Sequence, residues 1–226
     1  MSALPERAAI LRAAVGIGLY AAAFGATFGA VAVAAGLDRA QASALSLVMF
    51  SGASQFAFVG VVGAGGSPWT ALGPALLLAV RNGFYGVALA DVLDPRGWRR
   101  AVTAHFVIDE TTAMAVAQTG RRAQRFAFWA TGLCLFALWQ TGTLLGALLG
   151  GAVDPARFGL DAAAPAVFLA LLWPQLRRAR ARWVAAGGAV VALALLPVAP
   201  GGVPVLAAAG VAVLAGLLPV RNEEEA

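Results

Sequence analysis

The sequence predicts an all-α polytopic membrane protein with seven or eight hydrophobic helices, some of them broken or re-entrant. Of its 226 residues, 61% are hydrophobic and only 12% are charged, whereas an ordinary soluble domain carries about 25% charged residues. Four stretches contain no charged residue at all: 13–37, 40–80, 126–153 and 183–220. Each is long enough for the ~20 apolar residues that cross the hydrocarbon core of a bilayer.

Eight hydrophobic segments follow one another in a single domain, residues 1–226, with short terminal tails at 1–8 and 221–226. They cover residues 9–35, 40–63, 69–92, 98–119, 126–153, 162–176, 183–196 and 203–220. The stretch Gly65-Gly66-Ser67-Pro68 predicts a tight turn before the third segment. Pro95 ends that segment, because proline lacks a backbone donor and clashes with the preceding helical turn.

The fourth segment decides the predicted orientation, because it either crosses the membrane or turns back. If it crosses, there are eight spans, and the arginines near span ends divide 10 against 5 with the N-terminus inside. If it is re-entrant, there are seven spans with the N-terminus outside, and they divide 12 against 3. Cytoplasmic loops carry the excess of basic residues, so this count favours seven spans.

Arg81 is the most informative single residue, because it is the only charged one between positions 40 and 90. A full charge at that depth is costly and marks a substrate path, an ion path or a buried ion pair. The best partners are Asp109 and Glu110, of which one can pair with Arg81 while the other exchanges a proton in a low-dielectric cavity. Arg81 therefore either braces two helices or binds a substrate carboxylate together with Asn82.

Polar residues inside two other segments are further candidates for a site. Ser51, Ser54 and Gln55 lie among small residues in the middle of the second segment. They indicate either close helix packing or a locally opened helix whose backbone amides receive a polar ligand. Gln140 in the fifth segment is a candidate for secondary cavity lining.

The fourth segment is the most polar of the eight. His105, Asp109 and Thr112 stand at i, i+4 and i+7, a spacing that predicts one polar stripe along a helix. Such a stripe requires polar partners or water inside the membrane. The alternative is an interfacial segment with its polar residues facing water.

Enzymatic signals are weak, so we expect neither catalytic residues, a metal site nor a cofactor. The chain has one histidine and one cysteine, too few for the usual structural zinc sites. The glycines from Gly60 to Gly66 are not followed by the lysine and hydroxyl residue of a phosphate loop. All 16 basic residues are arginines, and their positions at span ends set orientation rather than indicate nucleic-acid binding.

A candidate internal repeat joins two distant segments. Residues 73–79, with the sequence GPALLLA, are similar to residues 164–170, with the sequence APAVFLA. Transporters often contain repeats with broken helices at matching positions.

Four motifs in order resemble the branched-chain amino-acid permease family typified by AzlC and YgaZ. They are Ser51-Gly52-Ala53-Ser54-Gln55-Phe56, Val80-Arg81 followed by Tyr85-Gly86, Asp109-Glu110, and Ala164-Pro165-Ala166-Val167-Phe168. The resemblance covers about residues 25–175. It implies proton-driven export of branched-chain amino acids from a bacterial cell across the inner membrane. It also implies a small membrane partner of the AzlD or YgaH type.

On this reading Ser51, Ser54, Gln55 and Asn82 line the substrate path, and Arg81 contacts the carboxylate or forms a gate. The apolar side chain of the solute would lie against residues such as Phe56, Phe84 and Phe106. The chain departs from the family pattern at Ala79 and Asn82. A transporter of the same fold for another small solute is therefore one alternative, and a non-transporting membrane scaffold that needs a partner is another.

Overall fold

A computed structural model describes residues 3–150, 169, 173, 175–177, 179–199 and 203–217. Within these residues it contains helices and turns and no strand, which confirms the all-α prediction. The helices are α1 (Ala3–Ala34), α2 (Arg39–Val48), α3 (Gly52–Gly63), α4 (Pro68–Leu93), α5 (Arg99–His105), α6 (Asp109–Val116), α7 (Arg121–Gly150), α8 (Ala179–Leu195) and α9 (Val203–Leu217). Most of the predicted sixth segment, the second copy of the candidate repeat and the tail 221–226 lie outside the described residues.

Three of the described helices are long and apolar enough to cross a membrane: α1, α4 and α7. The 26 residues of α4 rise about 39 Å, more than the ~30 Å of a hydrocarbon core. The chain is therefore a membrane protein built on these three helices. Helices α8 and α9 pack on each other, and Leu206 of α9 also contacts α4 at Gly73.

Helices α1 and α7 are parallel and in close contact. Gly142 faces Ala22 and Gly146 faces Ala26, so residue numbers increase together along the contact. The interface is made of glycines spaced four apart, Gly25 and Gly29 on α1 and Gly142, Gly146 and Gly150 on α7. Such small residues let two backbones approach closely in a membrane.

Helix α4 runs in the opposite direction to these two. The guanidinium Nε of Arg125, near the start of α7, donates a hydrogen bond to the carbonyl oxygen of Val92, near the end of α4. One end of the bundle therefore holds the start of α1, the end of α4 and the start of α7. We call this end the arginine face and the other end the opposite face.

The second hydrophobic segment does not cross the membrane, although its length predicted a span. It forms a re-entrant hairpin of α2 and α3, hairpin 1. Helix α2 begins just after α1 ends, and Gly63 at the end of α3 returns to Ala35, where a methyl group on Gly63 would lie 3.2 Å from the Ala35 side chain. The two helices have 10 and 12 residues, or about 15 and 18 Å, so each reaches about half-way through the core.

The fourth segment is also re-entrant, as the arginine count favoured, and forms hairpin 2 from α5 and α6. Helix α5 begins at the arginine face, where Arg100 Nε donates to the carbonyl oxygen of Pro95 at 3.1 Å. Helix α6 returns to the same face, because α7 begins there only a few residues after Val116. Gly120, with φ of +88°, makes the turn between them.

The two hairpins change both divisions of the arginines that the sequence predicted. Each of those placed at least one arginine-rich stretch on the wrong side of the bundle. In the structure the arginine face carries eight arginines from residues 3–150, whereas the opposite face carries Arg39 alone. The eight are Arg7, Arg12, Arg96, Arg99, Arg100, Arg121, Arg122 and Arg125.

The order of a crossing helix followed by a hairpin occurs twice, in opposite directions. Helix α1 ends at the opposite face, from which hairpin 1 enters. Helix α4 ends at the arginine face, from which hairpin 2 enters. Inverted repeats of this kind place binding sites of transporters near the bilayer midplane.

Candidate functional site

The tips of the two hairpins meet inside the bundle. Helix α2 ends before residues 49–51 and α5 ends before residues 106–108. The Phe50 ring in the first tip lies 5.8 Å from the Phe106 ring in the second. His105 and Phe136 complete the aromatic cluster, at 5.8 and 5.0 Å from Phe50. The two breaks in the backbone are therefore neighbours at one depth.

The break between the two helices of hairpin 1 is stabilised by three side chains of α7 that contact Ser46. Trp139 Nε1 donates to Ser46 Oγ at 3.1 Å, and Thr143 Oγ1 lies 3.2 Å from the same oxygen. Gln140 Nε2 donates to the Ser46 carbonyl oxygen at 3.0 Å. A carbonyl in the last turn of a helix has no donor within that helix. Gln140 supplies that donor in a place where an unpaired backbone group would be costly.

The break between the two helices of hairpin 2 is stabilised by Thr111 of the same hairpin, which is fully buried. The Thr111 hydroxyl donates to the Phe106 carbonyl oxygen at 2.7 Å and accepts from the Ile108 amide at 3.1 Å. The methyl group of Thr111 also lies against Gly132 of α7. One side chain thus satisfies a donor and an acceptor that the break removes from the helix.

Arg81 reaches from α4 to the start of α6. Its Nη2 lies 2.8 Å from Oδ2 of Asp109, and the two side chains are 40% and 41% exposed. Tyr85, one turn further along α4, interacts with the same carboxylate. Of the two acids that the sequence left open, Asp109 makes the pair. Glu110 is exposed and has no ion pair with any described residue.

Several buried polar atoms near these breaks have no hydrogen-bond partner among the described residues. They include both amide atoms of Gln55, Nε of Arg81, Oδ1 of Asn82 and Oγ1 of Thr112. Buried polar groups in proteins are nearly always paired, so these atoms are available to a polar ligand or to water. Gln55 is fully buried, one turn into α3, in the same turn as Ser51 and Ser54, whose hydroxyl oxygens lie 3.2 Å apart.

Arg81 and the first tip lie at similar depth. Arg81 is 13 residues into α4, and Gly52 is 11 residues before the end of α3. Both positions are therefore roughly 17–20 Å below the turn that joins these antiparallel helices. The predicted site residues of α3, α4 and α6 share one level of the bundle.

The predicted stripe is wrong, and two other predicted site residues have defined surroundings. His105, Asp109 and Thr112 do not form one stripe, because the helix breaks after His105 and Asp109 begins a new helix in a different direction. Phe56 is 1% exposed and packs edge-on against Phe28, and Gln140 donates to the Ser46 carbonyl oxygen. The places of Phe56 on the substrate path and of Gln140 in a cavity stay predictions.

Sequence reasoning missed Ser46 and Thr111, which hold the two breaks. Neither residue gives a recognisable signal in the sequence, because serine and threonine are common in membrane helices and neither stands at a distinctive spacing. The glycines of α1 and α7 had a recognisable signal, since each helix carries glycines four residues apart, the spacing of close helix contacts in membranes.

Comparison with known proteins gives the following matches. The AzlC protein family profile matches residues 16–153. An "Uncharacterized membrane protein" of Archaeoglobus fulgidus is 32% identical over 190 residues, covering 81% of this chain and 83% of the relative. "Inner membrane protein YgaZ" of Escherichia coli is 29% identical over 185 residues, 76% of each chain. An "Uncharacterized membrane protein" of Helicobacter pylori is 29% identical over 177 residues, 76% and 77% of the two chains. No solved structure matches the chain significantly.

Proposed function

Since the chain belongs to the AzlC family, we propose that it exports branched-chain or other neutral amino acids across the bacterial inner membrane. It acts as a secondary transporter driven by the proton gradient. It is the large subunit of a two-component exporter whose second subunit is a small membrane protein of the AzlD or YgaH type.

The observation that carries this proposal is the Arg81–Asp109 ion pair at the meeting point of two oppositely directed hairpins. A half-exposed ion pair beside unpaired polar atoms is costly in a membrane and typical of a substrate or proton path. Broken helices at mid-membrane also offer free backbone amides and a positive helix end to a carboxylate. These features suit a small zwitterion.

The pair can couple amino-acid export to proton entry because a proton and the amino acid compete for Asp109. The ionised Asp109 carboxylate binds the ammonium group of the amino acid while Arg81 binds its carboxylate. A proton that Asp109 takes up from the outside removes the partner of the ammonium group and releases the amino acid, and the proton leaves to the inside when Asp109 pairs with Arg81 again. Glu110, one residue further on, is the alternative proton acceptor.

The distribution of arginine supports a cytoplasmic position for the arginine face. Within residues 3–150, eight arginines lie on this face and Arg39 alone lies on the opposite face, an excess of the kind that cytoplasmic loops carry. Hairpin 2 then enters from the cytoplasm and hairpin 1 from outside. The N-terminus lies inside, opposite to the side that the seven-span prediction favoured.

Efflux from intact cells tests the proposal. Cells lacking their own exporters are loaded with a leucine-containing dipeptide, and leucine release is followed with and without the small companion protein. We expect efflux with the native pair and its loss in Arg81→Gln and Asp109→Asn.

Arg96→Gln is the matched control, because Arg96 also faces a carboxylate, Asp94 at 3.7 Å, but on an 86% exposed side chain. That variant should export normally. Native efflux from Arg81→Gln at equal membrane abundance would refute the assigned role. Absence of efflux of any amino acid from the native pair would refute the function.

A further inference from the structure

We propose that the pocket between α4 and α5 is an aqueous vestibule through which the amino acid reaches the hairpin tips from the arginine face. The inference rests on the proposed function, since it names the path by which that same site is loaded. It concerns residues outside the motifs that indicated transport.

The pocket has a volume of about 440 Å³, within the ~300–1,000 Å³ that is usual for sites of small ligands. It lies between the second half of α4 and the length of α5, and it reaches Val107 in the tip of hairpin 2. Its lining consists of Gly86, Leu89, Ala90, Asp91, Leu93, Asp94, Pro95, Arg100, Thr103, Ala104 and Val107.

The polarity of the lining changes from the mouth to the inner end. Asp91, Asp94 and Arg100 stand at the mouth, and the Arg100 side chain is fixed there by its bond to the Pro95 carbonyl. Leu89 and Val107, further in, are 1% and 4% exposed. Charged groups at membrane depth face water or protein partners rather than lipid, so the mouth is suited to water.

The inner end of the pocket lies close in sequence to both residues of the ion pair, which are not themselves part of its lining. Gly86 lies five residues after Arg81 on α4, or about 7.5 Å along the helix axis. Val107 lies two residues before Asp109, and Tyr85, beside Gly86, interacts with the Asp109 carboxylate. On this proposal the Arg81–Asp109 pair lies between the vestibule and the first hairpin tip.

This arrangement fits an amphipathic zwitterion better than an ion or a sugar. The carboxylates of Asp91 and Asp94 attract an ammonium group at the mouth. Leu89 and Val107 offer an apolar surface to the side chain of the amino acid, and Arg81 lies beyond the inner end, where it can bind the carboxylate. A solute with all three groups contacts every part of the path.

Thiol labelling distinguishes a water-filled vestibule from a crevice that lipid fills. In a Cys134→Ser background, which removes the single native cysteine, Ala104→Cys places a thiol in the pocket. Val87→Cys is the matched control, since Val87 is 78% exposed on α4 but outside the lining. The probe is a membrane-impermeant cationic methanethiosulfonate, applied to inside-out and right-side-out vesicles.

We expect the thiol at position 104 to react in inside-out vesicles only, at a rate that leucine lowers several-fold and glucose leaves unchanged. The thiol at position 87 should not react. Absence of reaction at position 104, while a thiol from Arg96→Cys reacts at its 86% exposed position beside the lining residue Pro95, would overturn the aqueous vestibule. Reaction from the outer side only would overturn its orientation, and reaction without leucine protection would overturn its role for amino acids.

Flux through a filled pocket separates this proposal from the function itself. Ala104→Trp should reduce leucine efflux at least tenfold, whereas Val87→Trp should leave it unchanged. Normal efflux from Ala104→Trp alongside lost efflux from Arg81→Gln would refute the vestibule and leave the transport function standing. If neither variant loses efflux, the vestibule and the role of Arg81 are both refuted while export itself stands, and absence of efflux from the native pair would refute the function.

Discussion

Replacing Gly25 by alanine should weaken the contact between α1 and α7, on which both hairpins rest. A methyl group on Gly25 would lie 2.6 Å from the Trp139 carbonyl oxygen and 3.2 Å from the Thr143 amide nitrogen. Carbon and carbonyl oxygen normally come no closer than about 3.3 Å. The helices must therefore separate by roughly 0.7 Å, and a gap of that size forfeits about a quarter to a half of the dispersion energy of each contact.

Overpacking of this kind costs about 1–3 kcal/mol. At roughly 2–4 °C per kcal/mol for a chain of this length, we expect the melting temperature to fall by about 2–12 °C. The assay is thermal unfolding of the detergent-solubilised protein, followed by size-exclusion chromatography with fluorescence detection. The same substitution should reduce efflux in proportion to the protein lost.

Gly16→Ala is the matched control on the same helix. No atom lies within 4 Å of the position that its methyl group would take, and alanine is favoured over glycine in a helix by up to about 1 kcal/mol. Gly16→Ala should therefore melt at the native temperature or slightly above it. If both variants melt together, close glycine packing does not hold α1 against α7 and the reasoning is wrong.

Three further outcomes test the hairpin tips and the ion pair. Ser46→Ala leaves the Trp139 indole N–H unpaired inside the bundle and should lower the free energy of unfolding by about 1–3 kcal/mol in the same assay. Thr141→Ala removes only an exposed hydrogen bond within α7 and should change the free energy of unfolding little. Thr111→Val should destabilise the protein by a similar ~1–3 kcal/mol, because it unpairs both backbone groups of the second tip; native melting would show that Thr111 does not support it. Each single charge reversal, at Arg81 or at Asp109, should lower the abundance of the protein in the membrane. Exchanging the two charges should restore the abundance but should not restore leucine efflux. Recovered efflux would mean that Arg81 only holds the helices together.

Several elements of the site were predictable because their residues are chemically out of place. A charged Arg81 in an apolar stretch required a partner, and the acids at 109 and 110 were the best available. Ser51, Ser54 and Gln55 indicated either close helix packing or an opened helix, and the structure breaks the second segment at residues 49–51. The stripe through His105 failed because helical spacing assumes an unbroken helix.

The sequence by itself determined that the chain lies in a membrane, where its apolar segments begin and end, and which polar residues are costly there. These properties follow from composition along the chain, because transfer of apolar residues into lipid does not depend on their neighbours. Only the tertiary structure decided that the second segment turns back half-way, whereas the arginine count had already favoured a re-entrant fourth segment. A run of 24 residues has the same mean hydropathy whether it folds as one crossing helix or as two half-helices.

The direction of each segment was fixed by contacts between distant residues, such as Gly63 with Ala35 and Arg125 with Val92. Those contacts place eight arginines on one face and bring the two hairpin tips together beside Arg81. Orientation and site geometry are therefore properties of the packed bundle, because they depend on which ends of the helices lie side by side.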